Sequence, residues 1–171
     1  SGSQYPATVE QVVPLAVGDA MNINLVVDQS GSMRARSKMD SAKKAASSFV
    51  DEMVKTQGNV AEITSFNDYV YNRQPFTSSA ALLNSAIDAV SLTGETALYD
   101  ALYWALQRTN LKSGSRVVIA FTDGEENSSN YSLNDVVTLS QQTGIPVYIV
   151  GVGGDVNRSS LQSLASSCNG A

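Results

Sequence analysis

Ile23-Asn24-Leu25-Val26-Val27 runs directly into Asp28-Gln29-Ser30-Gly31-Ser32, and this junction decides how the rest of the chain is read. A short β-branched run closed by turn-forming residues predicts a strand buried on both faces, over residues 22–27. Beyond it one carboxylate and two hydroxyls fall on alternate residues. Alternate positions of an extended chain point the same way, so Asp28, Ser30 and Ser32 can converge on one point. Three small oxygen donors suit a hard divalent cation better than an apolar core. Gly31 allows a tight turn between the serines.

The same arrangement recurs about a hundred residues on. Arg116-Val117-Val118-Ile119-Ala120-Phe121 is a second buried-strand pattern, and it ends at Thr122-Asp123-Gly124. Between and after these strands the spacing predicts helices over 37–55, 79–90, 97–110, 133–142 and 159–166. Ser78 or Ser79 is available to cap the second, and Gly144 to end the fourth. Residues 60–66 and 69–73 alternate as a hairpin around Asn67-Asp68, with Pro75 near its close. Residues 145–152 form a last inner strand. Alternating strands and helices with parallel-type apolar runs predict an α/β fold. It is doubly wound, with a mostly parallel central sheet, one antiparallel edge strand and helices on both faces. Ligands of such sheets bind at the carboxyl ends of the inner strands, where Asp28 and Asp123 lie.

Composition narrows the chemistry. The 171 residues fit one domain with a sizeable core. There is no histidine and a single cysteine, Cys168. A Ser-His-Asp triad, a His-based zinc site and an internal disulfide are therefore excluded within the chain. The net charge of −5 and the scattered cations, small groups at Arg34, Arg36, Lys38 and at Lys43, Lys44, carry no nucleic-acid footprint. No apolar run approaches the ~18 residues of a membrane span, so no direct membrane insertion is expected. Asn-x-Ser sequons at Asn127, Asn130 and Asn157 read as chance occurrences in polar loops. Residues 1–3 read as a cloning remnant, 4–21 as an N-terminal extension or edge segment, 22–168 as the domain, and 169–171 as the start of a continuation.

If the two strands are neighbours, Asp28 and Asp123 share one crevice, and a cation would relieve their repulsion. Few carboxylates with several hydroxyls favour Mg²⁺, with Mn²⁺ or Ca²⁺ as alternatives. Simple Asx-type turns explain either motif alone, and it is the pairing that argues against them. An EF-hand fails because its twelfth position is Met39, and a P-loop fails because no Gly-x-x-x-x-Gly-Lys-Ser/Thr occurs.

Asp28-x-Ser30-x-Ser32, an isolated threonine before a helix and Thr122-Asp123-Gly124 together resemble the von Willebrand factor type A (VWA) family. The continuation Gly31-Ser32-Met33 and the stretch Thr96 to Leu102 are similar to its bacterial members. The resemblance implies a Rossmann-like VWA fold over roughly residues 20–168, with a metal-ion-dependent adhesion site. Its metal ligands would be Asp28, Ser30, Ser32, Thr96 and Asp123, with Thr93 the fallback for the threonine. It also implies a binding module that captures an acidic side chain of a protein partner, and a last helix whose shift alters the site. An extracellular or cell-surface setting within a larger bacterial protein is the expectation. The competing readings are an intracellular VWA scaffold subunit of an ATPase-driven or metal-handling assembly and, behind it, a metal-dependent hydrolase. With no evident base, paired nucleophile or phosphate loop, an enzyme is not expected.

Overall fold

The computed structural model describes residues 20–124, 128–152, 162 and 166–168. Five strands form one sheet in the order β3-β2-β1-β4-β5. They are β1 (Met21–Asp28), β2 (Val60–Phe66), β3 (Val70–Thr77), β4 (Ser115–Thr122) and β5 (Val147–Gly151). β1 pairs in parallel with β2 and β4, and β4 with β5, while β2 and β3 form the antiparallel edge. The expected mixed sheet is the one observed.

Side-chain parity along β1 sorts the helices. Met21, Ile23, Leu25 and Val27 face α1 (Lys38–Met53) and α2 (Ala80–Asp88), meeting Ala42, Ala46, Val50, Leu83 and Ile87 in one apolar cluster. Val26, with Val118 and Ala120 of β4, faces α3 (Leu98–Thr109) and α4 (Leu133–Thr143) in the other. Covering both faces is what allows β1 and β4 to be apolar almost throughout.

Local signals explain three helix ends. Ser79 caps α2 by accepting from Leu82 N, and Ser132 with Asp135 forms a capping box on α4. Gly144 closes α4 in the left-handed region at φ 73°. The expected bounds shift by a residue or two at several elements, and two differences have a physical cause. Residues 31–37 form a 3-10 turn, and α1 begins only at Lys38, after Ser37 adopts a positive φ of 57°. The short bonds of that turn let the chain double back from the strand end before α1 starts. β3 continues past Pro75 to Thr77, because an edge strand needs donors on one side only. Residues 4–19 of the expected N-terminal segment and most of the expected last helix, 159–166, lie outside the described residues, while Met21 already belongs to β1.

The face covered by α3 carries a polar network that the apolar pattern did not announce. Glu62 is fully buried and receives Nε and Nη2 of Arg108, whose guanidinium also lies over the Trp104 ring. Asn24 Nδ2 donates to Glu62 Oε1 at 3.0 Å, and Thr64 Oγ1 donates to Asn24 Oδ1 at 2.7 Å. Removing the cation leaves the buried carboxylate uncompensated. Arg108→Ala is therefore expected to lower the unfolding free energy by about 2 kcal/mol or more, read from urea denaturation. Glu62→Gln with Arg108→Met should recover part of the loss.

Candidate functional site

β1 and β4 run side by side, with Val27 opposite Phe121, so Asp28 and Asp123 emerge at the same edge of the sheet. Both are buried, at 0% and 2% exposure. Asp28 Oδ1 accepts from Ser30 N at 2.9 Å and from Ser30 Oγ at 2.5 Å. Its Oδ2 accepts from Thr122 Oγ1 at 2.7 Å. Ser30 Oγ lies 3.2 Å from Ser32 Oγ, so the three alternate residues do converge. Burial raises the Asp28 pKa from 3.8 to about 6; its hydrogen bonds to Ser30 and Thr122 oppose the rise, and the nearby Asp123 charge adds to it.

The third segment is stitched to the first by backbone bonds. Thr93 N donates to Gln29 O at 2.9 Å, and Gly31 N donates to Gly94 O at 3.0 Å. Asn67-Asp68, the hairpin turn between β2 and β3, supports the loop from behind. Ala97 N donates to Asn67 O, and Glu95 N donates to Asp68 Oδ1. Thr96 is buried and Thr93 is exposed. Residues 128–131 are tied down in turn, with Ser128 N donating to Thr96 O. Asn130 N and Tyr131 N donate to Asp100 Oδ1, and the Tyr131 ring stacks on Tyr103 of α3 with centroids 3.8 Å apart. Asp28, Ser30, Ser32 and Asp123 thus meet at the ends of two neighbouring strands. Thr96 sits on the loop bonded to them.

Three residues that sequence reasoning passed over belong to this region. Thr122 holds Asp28 by its second oxygen. Gln29 spans the site: its Nε2 donates to Ser91 O, while its Oε1 accepts from Arg73 Nη2 of the edge strand. Lys38 places Nζ 3.0 Å from Asp123 Oδ2, with both side chains almost fully buried. A signal for Lys38 was present in the sequence, since it shares the i, i+4 line of Ala42, Ala46 and Val50 on the buried stripe of α1.

The donor set fits a hard divalent cation. Two buried carboxylates lie beside hydroxyls, every donor is oxygen, and the Asp28 carboxylate accepts from two hydroxyls and a backbone amide. Among the described residues no three His, Cys, Asp or Glu side chains cluster.

Comparison with known proteins agrees with this architecture. The model of the von Willebrand factor type A domain matches residues 22–170. No curated protein matches the chain by sequence. Among solved structures, an aerotolerance-related membrane protein from Bacteroides fragilis is similar, with TM-score 0.78 and 21% identity over 88% of this chain and 89% of that one. Three N-terminal domains of the type V pili tip protein Mfa5 from Porphyromonas gingivalis give TM-score 0.61 and 23% identity, covering 63% of this chain and 20% of theirs. The PilB minor pilin from Streptococcus sanguinis gives 0.70 and 14%, covering 91% and 56%. The chain thus spans a fifth of the Mfa5 structure and just over half of PilB. These identities speak to the fold. With the family model spanning nearly the whole chain and the sheet order matching the expected architecture, the chain belongs to the von Willebrand factor type A domain family.

Proposed function

We propose that the chain is a divalent-cation-dependent protein-binding module, with a metal-ion-dependent adhesion site formed by Asp28, Ser30, Ser32, Thr96 and Asp123. The observation that carries this reading is the convergence of Ser30 and Ser32 on the buried Asp28 carboxylate, beside Asp123 of the neighbouring strand. Thr96 is preferred to Thr93 because Thr96 is buried while Thr93 is exposed. Mg²⁺ is the cation favoured by two carboxylates with several hydroxyls, Mn²⁺ and Ca²⁺ being the alternatives. A cation held this way would offer an electrophilic position to an acidic side chain of a partner protein.

The chain's own residues would do the positioning. Asp28 is fixed by Ser30 and Thr122, and the Gln29 and Gly31 backbone bonds hold the threonine loop in register. Exposed Tyr69, on the turn that supports this loop, would add contact area for a partner. The fold similarity to pilus-tip and minor-pilin proteins favours a cell-surface adhesion role over an intracellular scaffold, and a binding role over catalysis. Among the described residues no helix is long and apolar enough to cross a membrane.

Isothermal titration with MgCl₂ and MnCl₂ tests the reading. We expect one site in the native chain and a loss of at least about tenfold in affinity for Ser30→Ala/Ser32→Ala, since two oxygen donors are removed. A partner protein should then be retained in Mg²⁺ and released by EDTA. Equal cation binding by the native and double-alanine chains would sink the proposal.

A further inference from the structure

Lys38 is an unusual lysine. It sits in the first turn of α1, where a positive charge opposes the helix dipole. It is also 4% exposed, so its ammonium has been stripped of most of its water. Both penalties are offset at the carboxylate of Asp123, 3.0 Å away. The same carboxylate belongs to the cation site proposed above.

We propose that Lys38 is a tethered counter-cation of the site, competing with a divalent cation for Asp123 and so setting the concentration at which the site loads. The inference rests on the metal-site reading. Physically, two buried carboxylates at neighbouring strand ends repel each other. In the cation-free protein the Lys38 ammonium lowers the negative charge of the pair. It also holds Asp123 at the end of β4. A divalent cation arriving at the same carboxylate must either displace this ammonium or bind next to it, and each course weakens its binding relative to a site without the lysine. Lys38 reaches Asp123 along the buried stripe it shares with Ala42 and Ala46, whose small side chains let α1 lie close to the sheet. The site's affinity is thereby linked to α1, an element that supplies none of the proposed ligands.

Lys38→Met keeps the length of the side chain and removes its charge. By titration calorimetry with MgCl₂ and MnCl₂, the variant should bind on the order of tenfold more tightly than the native chain. In EDTA it should melt at a lower temperature than the native chain, and saturating Mg²⁺ should raise its melting temperature by more than it raises the native one. A lysine with a purely structural role would lower the melting temperature with no gain in affinity, and unchanged or weakened binding overturns the proposal. Absence of Mg²⁺ and Mn²⁺ binding in both folded proteins would overturn the metal-site reading itself, and this inference with it. The native chain provides a second measurement that does not depend on the variant folding. During a Mg²⁺ titration the assigned ε-methylene and ammonium resonances of Lys38 should shift to saturation together with the loop amides of residues 28–32. Loop shifts with no response at Lys38 would refute the competition.

Discussion

Gly94→Ala is expected to be among the most damaging single substitutions in the chain. Gly94 has φ +82°, a region L side chains rarely adopt. A Cβ there would stand 2.3 Å from Asp68 Oδ1 and 2.9 Å from the Asn67 side chain. Neither neighbour can move cheaply. Asp68 Oδ1 accepts from Glu95 N, and Asn67 accepts from both Ala97 N and Tyr69 N. Backbone strain and steric overlap together should reduce the unfolding free energy by about 2–4 kcal/mol. The damage would not stay local, because Gly94 O accepts from Gly31 N and so aligns the Thr96 loop with the Ser30-Gly31-Ser32 segment. Urea denaturation reads the stability loss, and Mg²⁺ titration of the residual folded protein should read a weakened site. Full native stability in Gly94→Ala would contradict the packing of Asn67 and Asp68 against this loop.

Asp28→Asn should act in the opposite direction. The Asp28 carboxyl has its pKa raised from 3.8 to about 6, chiefly by burial. The folded protein therefore holds the proton more tightly than the unfolded chain does. In cation-free buffer, stability should fall as pH rises from about 4 to about 6 and then level off. At neutral pH the ionised buried carboxylate costs roughly 3 kcal/mol, taking ~1.4 kcal/mol for each unit between the two pKa values. Asparagine keeps the acceptor that faces Ser30 and can donate to Thr122 Oγ1, so Asp28→Asn should stabilise the cation-free protein by up to roughly 3 kcal/mol. It should also flatten the pH dependence in that window. The same substitution should abolish stabilisation by Mg²⁺. A functional group that destabilises its own fold is the usual signature of a site kept for binding. Thermal melts at pH 4 to 7.5, in EDTA and in Mg²⁺, distinguish these outcomes. A native chain whose cation-free stability rises through that window would refute the assignment of Asp28 as the strained group.

Much of the fold was legible because its signals are local. The runs at 23–27 and 116–121 read as strands covered on both faces, and both are. Ser79, Ser132 and Gly144 mark helix ends through bonds made within a few residues. The pairing of Asp28-x-Ser30-x-Ser32 with Asp123 was legible for a similar reason, since each motif follows directly on a buried strand. The 3-10 turn at 31–37 was not, because it depends on how the chain must bend to bring α1 onto the sheet. Glu62 was equally hidden. A glutamate within an alternating strand reads as solvent-facing, and it is Arg108, arriving from α3, together with Asn24 of β1 that makes its burial tolerable.

Side-chain type and short-range spacing were enough to read the strand and helix order, the lack of histidine chemistry and the residues that could share a cation. That β1 and β4 are neighbours, that Asp28 is buried enough to resist ionisation and that Lys38 reaches Asp123 became visible in the folded chain alone. Those three facts depend on groups 85 to 94 residues apart along the chain. Burial and charge at such distances are set by how the layers pack, and no local pattern encodes them.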